Sequence, residues 1–393
     1  MFYRGSLFWG IMSIKIAVVG LGNCASSLIQ GIFYYRKGGE DNAALDGLIF
    51  ENVANYGVDS IDVVVAFDID SRKVGIDVSK AIFASPNNTL VFYPDLPLSG
   101  VNARMGRVLD GVAPHMLEAG DRGFKIADFQ EPSAGDVVAA LRDSGADVLV
   151  NFLPVGSQKA TEFYMECALE AGVAVVNCIP VFIASDKAWS ERFRLRGLPI
   201  VGDDIKAQIG ATIVHRVLSD LCSSRGISVK RTYQLNTGGN TDFMNMLDGS
   251  RLSQKKLSKT EAVQAALAIR LADENIVIGP AEYVPWQKDN KVCFLRIEGE
   301  HWGGVPMNME VRLSVEDSPN SAACVVDAIR FAKSALDRGE GGPLLLPSAY
   351  YCKHPPQQME EKEVRAMLND LAAQPRGLKV SDANSSNLTE ATT

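Results

Sequence analysis

The sequence has few residues of the types that build metal clusters or disulfide frameworks. Its seven cysteines are scattered, their number is odd, and no two of them stand in a CxxC pair. The four histidines also lack the spacing typical of zinc ligands. These absences argue against a structural metal and a disulfide scaffold. They predict reduced thiols and therefore a cytoplasmic protein.

Long apolar runs and an excess of basic residues are also missing. No apolar stretch approaches the roughly 20 residues that span a bilayer, and residues 1–11 lack the small-residue cleavage site of a signal peptide. The net charge is −8 and the pI is near 5.2, whereas nucleic-acid binding usually needs a basic face. We therefore expect neither a nucleic-acid partner nor a membrane partner.

The order of the apolar segments predicts an α/β fold. Short apolar strands alternate with helical segments in the first half, which is typical of parallel βαβ units, at 15–19, 61–67, 148–153, 173–179 and 199–202. After Thr212, alternating polar and apolar residues predict strands at 227–235, 292–298 and 307–315. The predicted fold is a Rossmann-like doubly wound parallel sheet, followed by a second α+β domain with a largely antiparallel sheet.

The segment after the first strand carries the motif of a dinucleotide site. In this GxGxxA pattern, Gly20 permits a tight turn, Gly22 lets the backbone approach a pyrophosphate, and Ala25 keeps the helix close to the strand. Asn23 and Cys24 lie in the same turn, and a helix is predicted from Ser26 onward, whose N-terminus attracts negative charge. We expect these five residues to bind the cofactor.

Asp68, at the end of the second strand, completes the predicted dinucleotide site. A carboxylate there accepts a hydrogen bond from a ribose hydroxyl and favours NAD over NADP, although the nearby Arg72 and Lys73 weaken that preference. Asp68 follows Gly22 by 46 residues, whereas the motif expects about 20. We therefore interpret residues 34–60 as an insertion. Alternatively, Asp68 is a solvated residue at the end of the strand and has no role in cofactor binding.

Lysines and polar clusters interrupt the apolar elements of the second half. The clusters are residues 202–206, 238–242, 255–259 and 317–320. Lys255 and Lys259 would share one face of a helix, where their charges repel unless an anion lies between them. Lys291 begins a predicted strand, and Lys353 follows Cys352. On an acidic protein these lysines indicate an anionic substrate, and the alternative is a solvated basic face.

Five segments between Ile14 and Pro356 resemble, in register, the prokaryotic inositol-3-phosphate synthases (myo-inositol-1-phosphate synthases). They are GDDIKAQIGATIVHR (202–216), LNTGGNTDFMNML (235–247), KKLSKTEAV (255–263), DSPNSA (317–322) and SAYYCK (348–353). The resemblance implies an NAD-dependent isomerase that closes a carbocycle from a hexose phosphate. It also implies a homotetramer built through the sheet of the second domain.

The resemblance further implies a reaction without net redox change. In this family NAD oxidises C5 of glucose 6-phosphate, a C6 proton is lost, and the enolate attacks the C1 aldehyde. NADH then reduces C5 again, so NAD stays tightly bound and is recycled. Family members differ over a divalent or monovalent cation, for which Asp317 is the candidate ligand here.

Site residues carried over from the family fall into two sets. The implied catalytic set is Lys255, Lys259, Lys291, Lys353, Asp204, Asn240, Asp242 and Asp317. To the glycine motif and Asp68, the implied cofactor set adds Asn151, Pro154, Gly156, Asp204, Ala207 and Asp242.

Within the catalytic set, the four lysines have different expected roles. We expect Lys255 and Lys353 at the reacting oxygens, and Lys259 and Lys291 at the enolate, the aldol oxyanion or the phosphate. A lysine crowded by other cations is expected to have a lowered pKa and to shuttle protons.

Two departures from the family pattern leave other functions open. The family usually has serine at the position of Ala207, and serine or a small residue at that of Gln254. A sister cyclase could therefore act on another hexose phosphate, such as fructose 6-phosphate, and close a five-membered ring. A regulator without catalysis and a dehydrogenase that releases NADH are two further alternatives.

The predicted domain boundaries follow from these assignments. Residues 12–204 and 326–373 are expected to form the NAD-binding domain, and residues 205–325 the catalytic and oligomerisation domain. Residues 1–11 and 374–393 are expected to be a disordered extension and tail.

Overall fold

The computed structural model describes residues 13–38, 46–249, 260–261, 263–267 and 269–374. The predicted extension at residues 1–11, the predicted tail beyond Gln374, and Gln254, Lys255 and Lys259 lie outside the described residues. Within the described residues, no helix is both long enough and apolar enough to cross a membrane.

The first sheet contains seven parallel strands among the described residues. Numbered along the chain, they are β1 (Ile14–Val19), β2 (Ile61–Asp68), β3 (Arg104–Met105), β4 (Val148–Asn151), β5 (Ala174–Asn177), β6 (Pro199–Val201) and β11 (Gly342–Pro343). Their spatial order is β11-β6-β5-β4-β1-β2-β3, and every pairing is parallel. The order reverses between β1 and β4, so the sheet is doubly wound as predicted.

Helices cover both faces of this sheet. Successive strand residues point to opposite sides, so each face of the sheet has its own core. On one face, Ile16 and Val18 pack with the helices Asn23–Gly38 and Asp317–Arg338. On the other face, Ala17 and Val19 belong to a second core with residues of three further helices, Ala134–Ser144, Gln158–Ala171 and Lys187–Leu195. A strand buried on both faces is the physical reason for the continuous apolar runs in the sequence.

The second sheet is mixed, with mainly antiparallel pairing. It consists of β7 (Ser228–Gly238), β8 (Ile276–Tyr283), β9 (Asn290–Glu300) and β10 (Pro306–Glu316), in the order β10-β9-β7-β8. The β10–β9 and β9–β7 pairs are antiparallel, and β7–β8 is parallel. The sequence did not predict β8. The helix Ala211–Ser224 packs on one face, against a core of Cys293, Leu295 and Ile297.

Further helices of the described chain are Val78–Ala81, Pro114–Glu118, Thr241–Asn245, Leu345–Tyr351 and Glu361–Ala373. The helix Asp317–Arg338 begins where the second sheet ends and packs in the core of the first. The fold class is confirmed, and the domain boundaries remain a prediction.

Candidate active site

The turn after β1 has the backbone that a dinucleotide motif needs. Gly20 has φ of +90°, and a Cβ at this position would lie 2.9 Å from the carbonyl oxygen of Phe152. A side chain is therefore excluded by both conformation and space. At Gly22 a Cβ would meet nothing within 4 Å, so this residue faces open space. Ala25 is fully buried between helix and sheet.

Asp68 is held against this turn. Its Oδ2 accepts a hydrogen bond from the Leu21 amide at 2.7 Å, and its Oδ1 accepts from Ile69 and Asp70 at 2.8 and 2.9 Å. The Lys73 Nζ lies 3.8 Å from Oδ2. The carboxylate thus joins the ends of β1 and β2, where the ribose of a dinucleotide would lie.

Two basic residues beside Asp68 are already bound within the protein. The Arg72 guanidinium donates to Asp70 Oδ1 at 2.7 Å and to the Gly123 carbonyl at 2.7 Å. The buried Lys73 ammonium donates to the Leu21 carbonyl at 2.8 Å and to Asn87 Oδ1 at 2.9 Å. Since these donors are occupied, neither residue is arranged to select a 2′-phosphate.

The loop after β6 positions Asp204 and through it Lys353. Buried Asp203 fixes the loop: its carboxylate accepts from the Ile183, Ala184 and Ser185 amides at 3.0 to 3.1 Å. The Lys353 ammonium donates to Asp204 Oδ1 at 2.6 Å and to the Ile205 carbonyl at 2.7 Å. An ammonium has three donors, and in the described structure two are used by these bonds.

Lys291, at the start of β9, forms the second ion pair of the site. Its Nζ donates to Asp317 Oδ1 at 3.0 Å and lies 5.7 Å from the centre of the Phe243 ring. Burial alone would lower the pKa of Lys291, but the charges of Asp317, Asp242 and Asp204 raise it above its usual value. The expected lowering of a lysine pKa is therefore wrong for this residue.

The N-terminus of the helix Ala211–Ser224 opens onto the same space. Ala207, Gly210, Thr212 and Ile213 all line it. A Cβ at Gly210 would lie 3.1 Å from the Ala207 Cβ, so position 207 stands directly beside the start of the helix. The first amide groups of a helix attract anions. This end of the cavity is thus suited to a phosphate.

One continuous cavity joins these parts. Most of the predicted residues line it, from the glycine turn to the two lysines: Gly20, Gly22, Asn23, Cys24, Asp68, Pro154, Asp204, Ala207, Asn240, Asp242, Lys291, Asp317 and Lys353. Ala25, Asn151 and Gly156 are not among its lining residues. Buried Asn151 instead bonds Asn177 at 2.9 Å and accepts from the Leu153 amide at 3.2 Å, so it shapes the loop that carries Pro154.

Comparison with known proteins decides the family. A family model described as myo-inositol-1-phosphate synthase matches residues 210–318. The crystal structure of Ari2 matches with a TM-score of 0.74 at 33% identity, covering 92% of this chain and all of that one. The inositol-3-phosphate synthase of Corynebacterium glutamicum is 48% identical over 361 residues, 91% of this chain and 97% of that protein. That of Mycolicibacterium smegmatis is 49% identical over 359 residues, 90% and 96% of the two chains. The chain belongs to the myo-inositol-1-phosphate synthase family.

Ala207, where the family resemblance led us to expect a serine, lies at the edge of the cavity. No side-chain hydroxyl stands at 207, beside the helix that begins at Ala211. The other departure, at Gln254, lies outside the described residues. Among the described residues, no group of three or more His, Cys, Asp or Glu side chains is arranged to hold a metal ion.

Asp289 is a residue of this synthase site that the sequence analysis missed. It is 1% exposed, and its Oδ1 accepts from Asn240 at 2.9 Å, Ser318 at 2.9 Å and Asn23 at 3.3 Å. Burial, and then the charge of Asp317, raise its pKa to about 6. Asp289 therefore ties the helix Asn23–Gly38 to the elements that carry Lys291 and Asp317.

Asn23 and Cys24 also have structural roles that the motif does not reveal. The Asn23 Oδ1 accepts from the Asn88 and Thr89 amides at 2.8 and 3.2 Å, so it fastens a loop against the glycine turn. Burial, followed by the nearby charge of Asp289, raises the pKa of the Cys24 thiol to about 12. This cysteine is consequently a neutral lining group and not a nucleophile.

Proposed function

We propose that this protein converts glucose 6-phosphate to myo-inositol 1-phosphate, also numbered inositol 3-phosphate, using a bound and recycled NAD. The observation that carries the proposal is the single cavity, because it connects a dinucleotide turn to two lysine–aspartate pairs and a helix N-terminus. The two curated relatives described above, almost half identical over nearly their whole lengths, are named inositol-3-phosphate synthases.

NAD fits the residues at one end of the cavity. The close approach at Gly20, the open space at Gly22 and the carboxylate of Asp68 match the pyrophosphate and ribose of a dinucleotide. When bound, NAD would take a hydride from C5 of the sugar and later return it. The other cofactor-binding assignments, Pro154, Asp204, Ala207 and Asp242, are proposed because these residues continue the same cavity wall.

The substrate phosphate is proposed to lie at the start of the helix Ala211–Ser224. The amides of Ala211, Thr212 and Ile213 are the first of this helix, and all three residues line the cavity. A helix of this length attracts an anion by its partial positive charge and by its free amide groups. This anchor would leave the sugar carbons between Lys353 and Lys291.

The two described lysines are proposed to act differently. Asp204 and the Ile205 carbonyl orient Lys353, and its third donor, which has no partner among the described residues, would exchange a proton with a sugar oxygen. Lys291 keeps its charge because Asp317 raises its pKa, so it stabilises negative charge that develops at an oxygen. Lys255 and Lys259 are proposed to supply the remaining cationic groups, with Asn240 and Asp242 positioning them and the substrate.

Conversion of fructose 6-phosphate to a five-membered carbocycle is the second candidate, and the names of the curated relatives do not favour it. Both reactions recycle NAD, whereas a dehydrogenase would release NADH. The test is to incubate the protein with NAD and each hexose phosphate, following NADH absorbance and the product ring by NMR. We expect a six-membered carbocycle from glucose 6-phosphate. Stoichiometric NADH would refute the proposal.

Two finer assignments accompany this function. Asp317 is proposed as a ligand for a divalent or monovalent cation, since its carboxylate lies within the cavity wall beside Lys291. A homotetramer is proposed through the second sheet, because β7, β8 and β9 expose Leu235, Val277 and Phe294. These side chains point away from the helix Ala211–Ser224, since their strand neighbours pack against the other face.

A further inference from the structure

The loop after β3 places an arginine at the adenosine end of the cavity. β3 pairs with β2 so that Met105 lies opposite Asp68, and the Gly106 amide donates to the Asp68 carbonyl at 2.9 Å. Arg107 therefore follows directly beside the residue that we assign to the adenosine ribose. Arg107 lines the cavity, and no pattern in the sequence indicated it.

Neighbouring side chains hold Arg107 in place. Its amide donates to the oxygen of the buried Tyr164 hydroxyl at 3.1 Å. The guanidinium carbon lies 5.6 Å from the centre of the Phe163 ring, within the range of a cation–π contact. Glu131 Oε2 lies 3.5 Å from Arg107 Nε. Phe163 and Glu131 are not among the described residues that line the cavity, so the guanidinium lies between them and the cavity.

The guanidinium of Arg107 has binding capacity that the described protein does not use. The side chain is 34% exposed. Its Nε is enclosed and, within the part of the chain that the structure describes, has no hydrogen-bond partner. A guanidinium is planar, carries five N–H donors and stacks on aromatic rings. Since Phe163 lies on one side of the plane, the other side and the terminal N–H groups can meet a molecule in the cavity.

The surroundings of Arg107 suit a flat, uncharged ring. Ile69 and Val108 belong to one apolar cluster, and both line the cavity. A cation is attracted to the face of an aromatic ring, most strongly where water is excluded. The oxidised nicotinamide of NAD carries a positive charge and would be repelled by a guanidinium, whereas the adenine is neutral. Adenine is therefore the half of the dinucleotide that matches this place.

A 2′-phosphate is the other group that an arginine at this position could bind. Such a phosphate would lie on the adenosine ribose, next to the Asp68 carboxylate. Two negative charges at this distance repel each other, which is a cost that the adenine ring does not have. The charge of Asp68 thus favours adenine as the partner of Arg107.

We propose that the guanidinium of Arg107 stacks on the adenine ring of the bound dinucleotide, and that Glu131 is a positioning residue that holds the guanidinium between Phe163 and the base. The contact rests on the proposed function for NAD as the ligand. It adds a residue that binds the adenosine half and takes no part in the hydride chemistry of the nicotinamide half.

The stacking is tested by calorimetric titration of Arg107→Met, which keeps the side-chain length and removes the plane and the charge. The Kd of NAD and that of ADP-ribose should rise by the same factor, about three- to tenfold, the scale of one cation–π contact. The Kd of nicotinamide mononucleotide should not change, because this fragment lacks adenine. Unchanged Kd values for NAD and ADP-ribose, or an equal rise for the mononucleotide, would overturn the contact.

Arg104→Met is the matched control. Arg104 is an exposed residue of β3 and is not among the described residues that line the cavity. This variant should bind all three ligands as the unaltered protein does. NADP separates adenine from a phosphate as the partner: Arg107→Met should weaken NADP and NAD by the same factor. A larger loss for NADP would assign the arginine to the 2′-phosphate and would refute the stacking.

The positioning role is tested with Glu131→Gln. Glutamine keeps an oxygen that can accept from the Val108 amide, which now donates to Glu131 Oε2 at 3.2 Å, but it removes the charge beside the guanidinium. The Kd of ADP-ribose should rise by up to about fivefold, the scale of an exposed ion pair. It should rise no further than in Arg107→Met when the two changes are combined, because Glu131 acts through Arg107. Additive losses would exclude this role.

The same titrations separate this inference from the proposed function. If the unaltered protein binds neither NAD nor ADP-ribose, the proposed function fails at its cofactor. If it binds both and Arg107→Met binds them equally well, the adenine contact alone fails.

Discussion

At the residue scale, Lys353 provides the most direct test of the site. Its ammonium is oriented by Asp204 Oδ1 at 2.6 Å and the Ile205 carbonyl at 2.7 Å. Lys353→Met keeps the side-chain length and removes the charge and the donors. We expect kcat to fall by roughly 10²–10⁴, the range for a positioned proton-transfer group, with NAD affinity nearly unchanged. Steady-state kinetics and NAD titration measure both quantities.

The control for this variant is Lys362→Met, which removes a lysine from an exposed helical position. It should leave kcat within about twofold, because substitutions at exposed positions away from a site rarely change the stability of a protein. If kcat falls less than tenfold in Lys353→Met, Lys353 has a structural role and takes no part in the reaction.

Ala207 gives a second prediction, in the direction of gained binding. A serine hydroxyl at 207 would stand beside the first amides of the helix Ala211–Ser224, where we place the substrate phosphate. One added hydrogen bond contributes about 0.5–1.5 kcal/mol, so Ala207→Ser should lower KM about two- to tenfold with little change in kcat. Ala207→Val is the control, since it adds volume without a donor. An unchanged KM in the serine variant would place the phosphate elsewhere.

The sequence predicted some site residues from local patterns and missed others for a physical reason. Gly20 and Asp68 are recognisable because a turn and a strand end impose requirements on nearby residues. Asp289 has no such signal, since its partners Asn23 and Asn240 are distant in the chain.

At the element scale, the pairing of the helix Ala211–Ser224 with β7 predicts a pH dependence of stability. His215 links these elements, and burial lowers its pKa in the folded state to about 4. In the unfolded chain a histidine has a pKa of about 6.5. Between these values the unfolded state binds a proton that the folded state does not, so stability falls as the pH falls through this window.

The variant His215→Gln should remove this part of the acid sensitivity. The loss for the unaltered protein should reach about 3 kcal/mol by pH 4, since one pKa unit corresponds to about 1.4 kcal/mol. Chemical denaturation at pH 7, 6 and 5 compares the slopes of the two proteins. His301→Gln, at an exposed position, should keep the unaltered slope. Parallel pH profiles for the unaltered protein and His215→Gln would contradict the assignment.

The elements themselves were predictable where the hydrophobic pattern was strong. β1, β4 and β5 are buried on both faces and read as continuous apolar runs, and β7, β9 and β10 alternate. β8 was missed because Gly279 and Pro280 interrupt its alternation. The two-residue strands β3 and β11 contain too few residues to show any period.

At the scale of the whole molecule, the cavity lies between elements from most of the described chain. The glycine turn belongs to the first sheet, Lys291 to the second, and Lys353 follows the helix Leu345–Tyr351. The helix Asp317–Arg338 connects the two sheets, with Asp317 at the site and Phe331 in the first core. This arrangement explains why the site could be predicted only in fragments, and why the family resemblance was needed to join them.

The exposed face of the second sheet leads to the last prediction. Leu235, Val277 and Phe294 are 37%, 48% and 43% exposed, and Leu235 pairs directly with Phe294 across β7 and β9. Exposed apolar side chains that adjoin one another can form part of an interface, and here we propose the tetramer contact. Phe294→Arg would bury a charge there without a partner, which is strongly unfavourable.

Light scattering at micromolar concentration should show a tetramer for the unaltered protein and smaller species for the variant. Leu195→Arg, at a helix position that is 77% exposed, should remain tetrameric. A monomeric unaltered protein, or a tetrameric Phe294→Arg variant, would exclude this face as the contact.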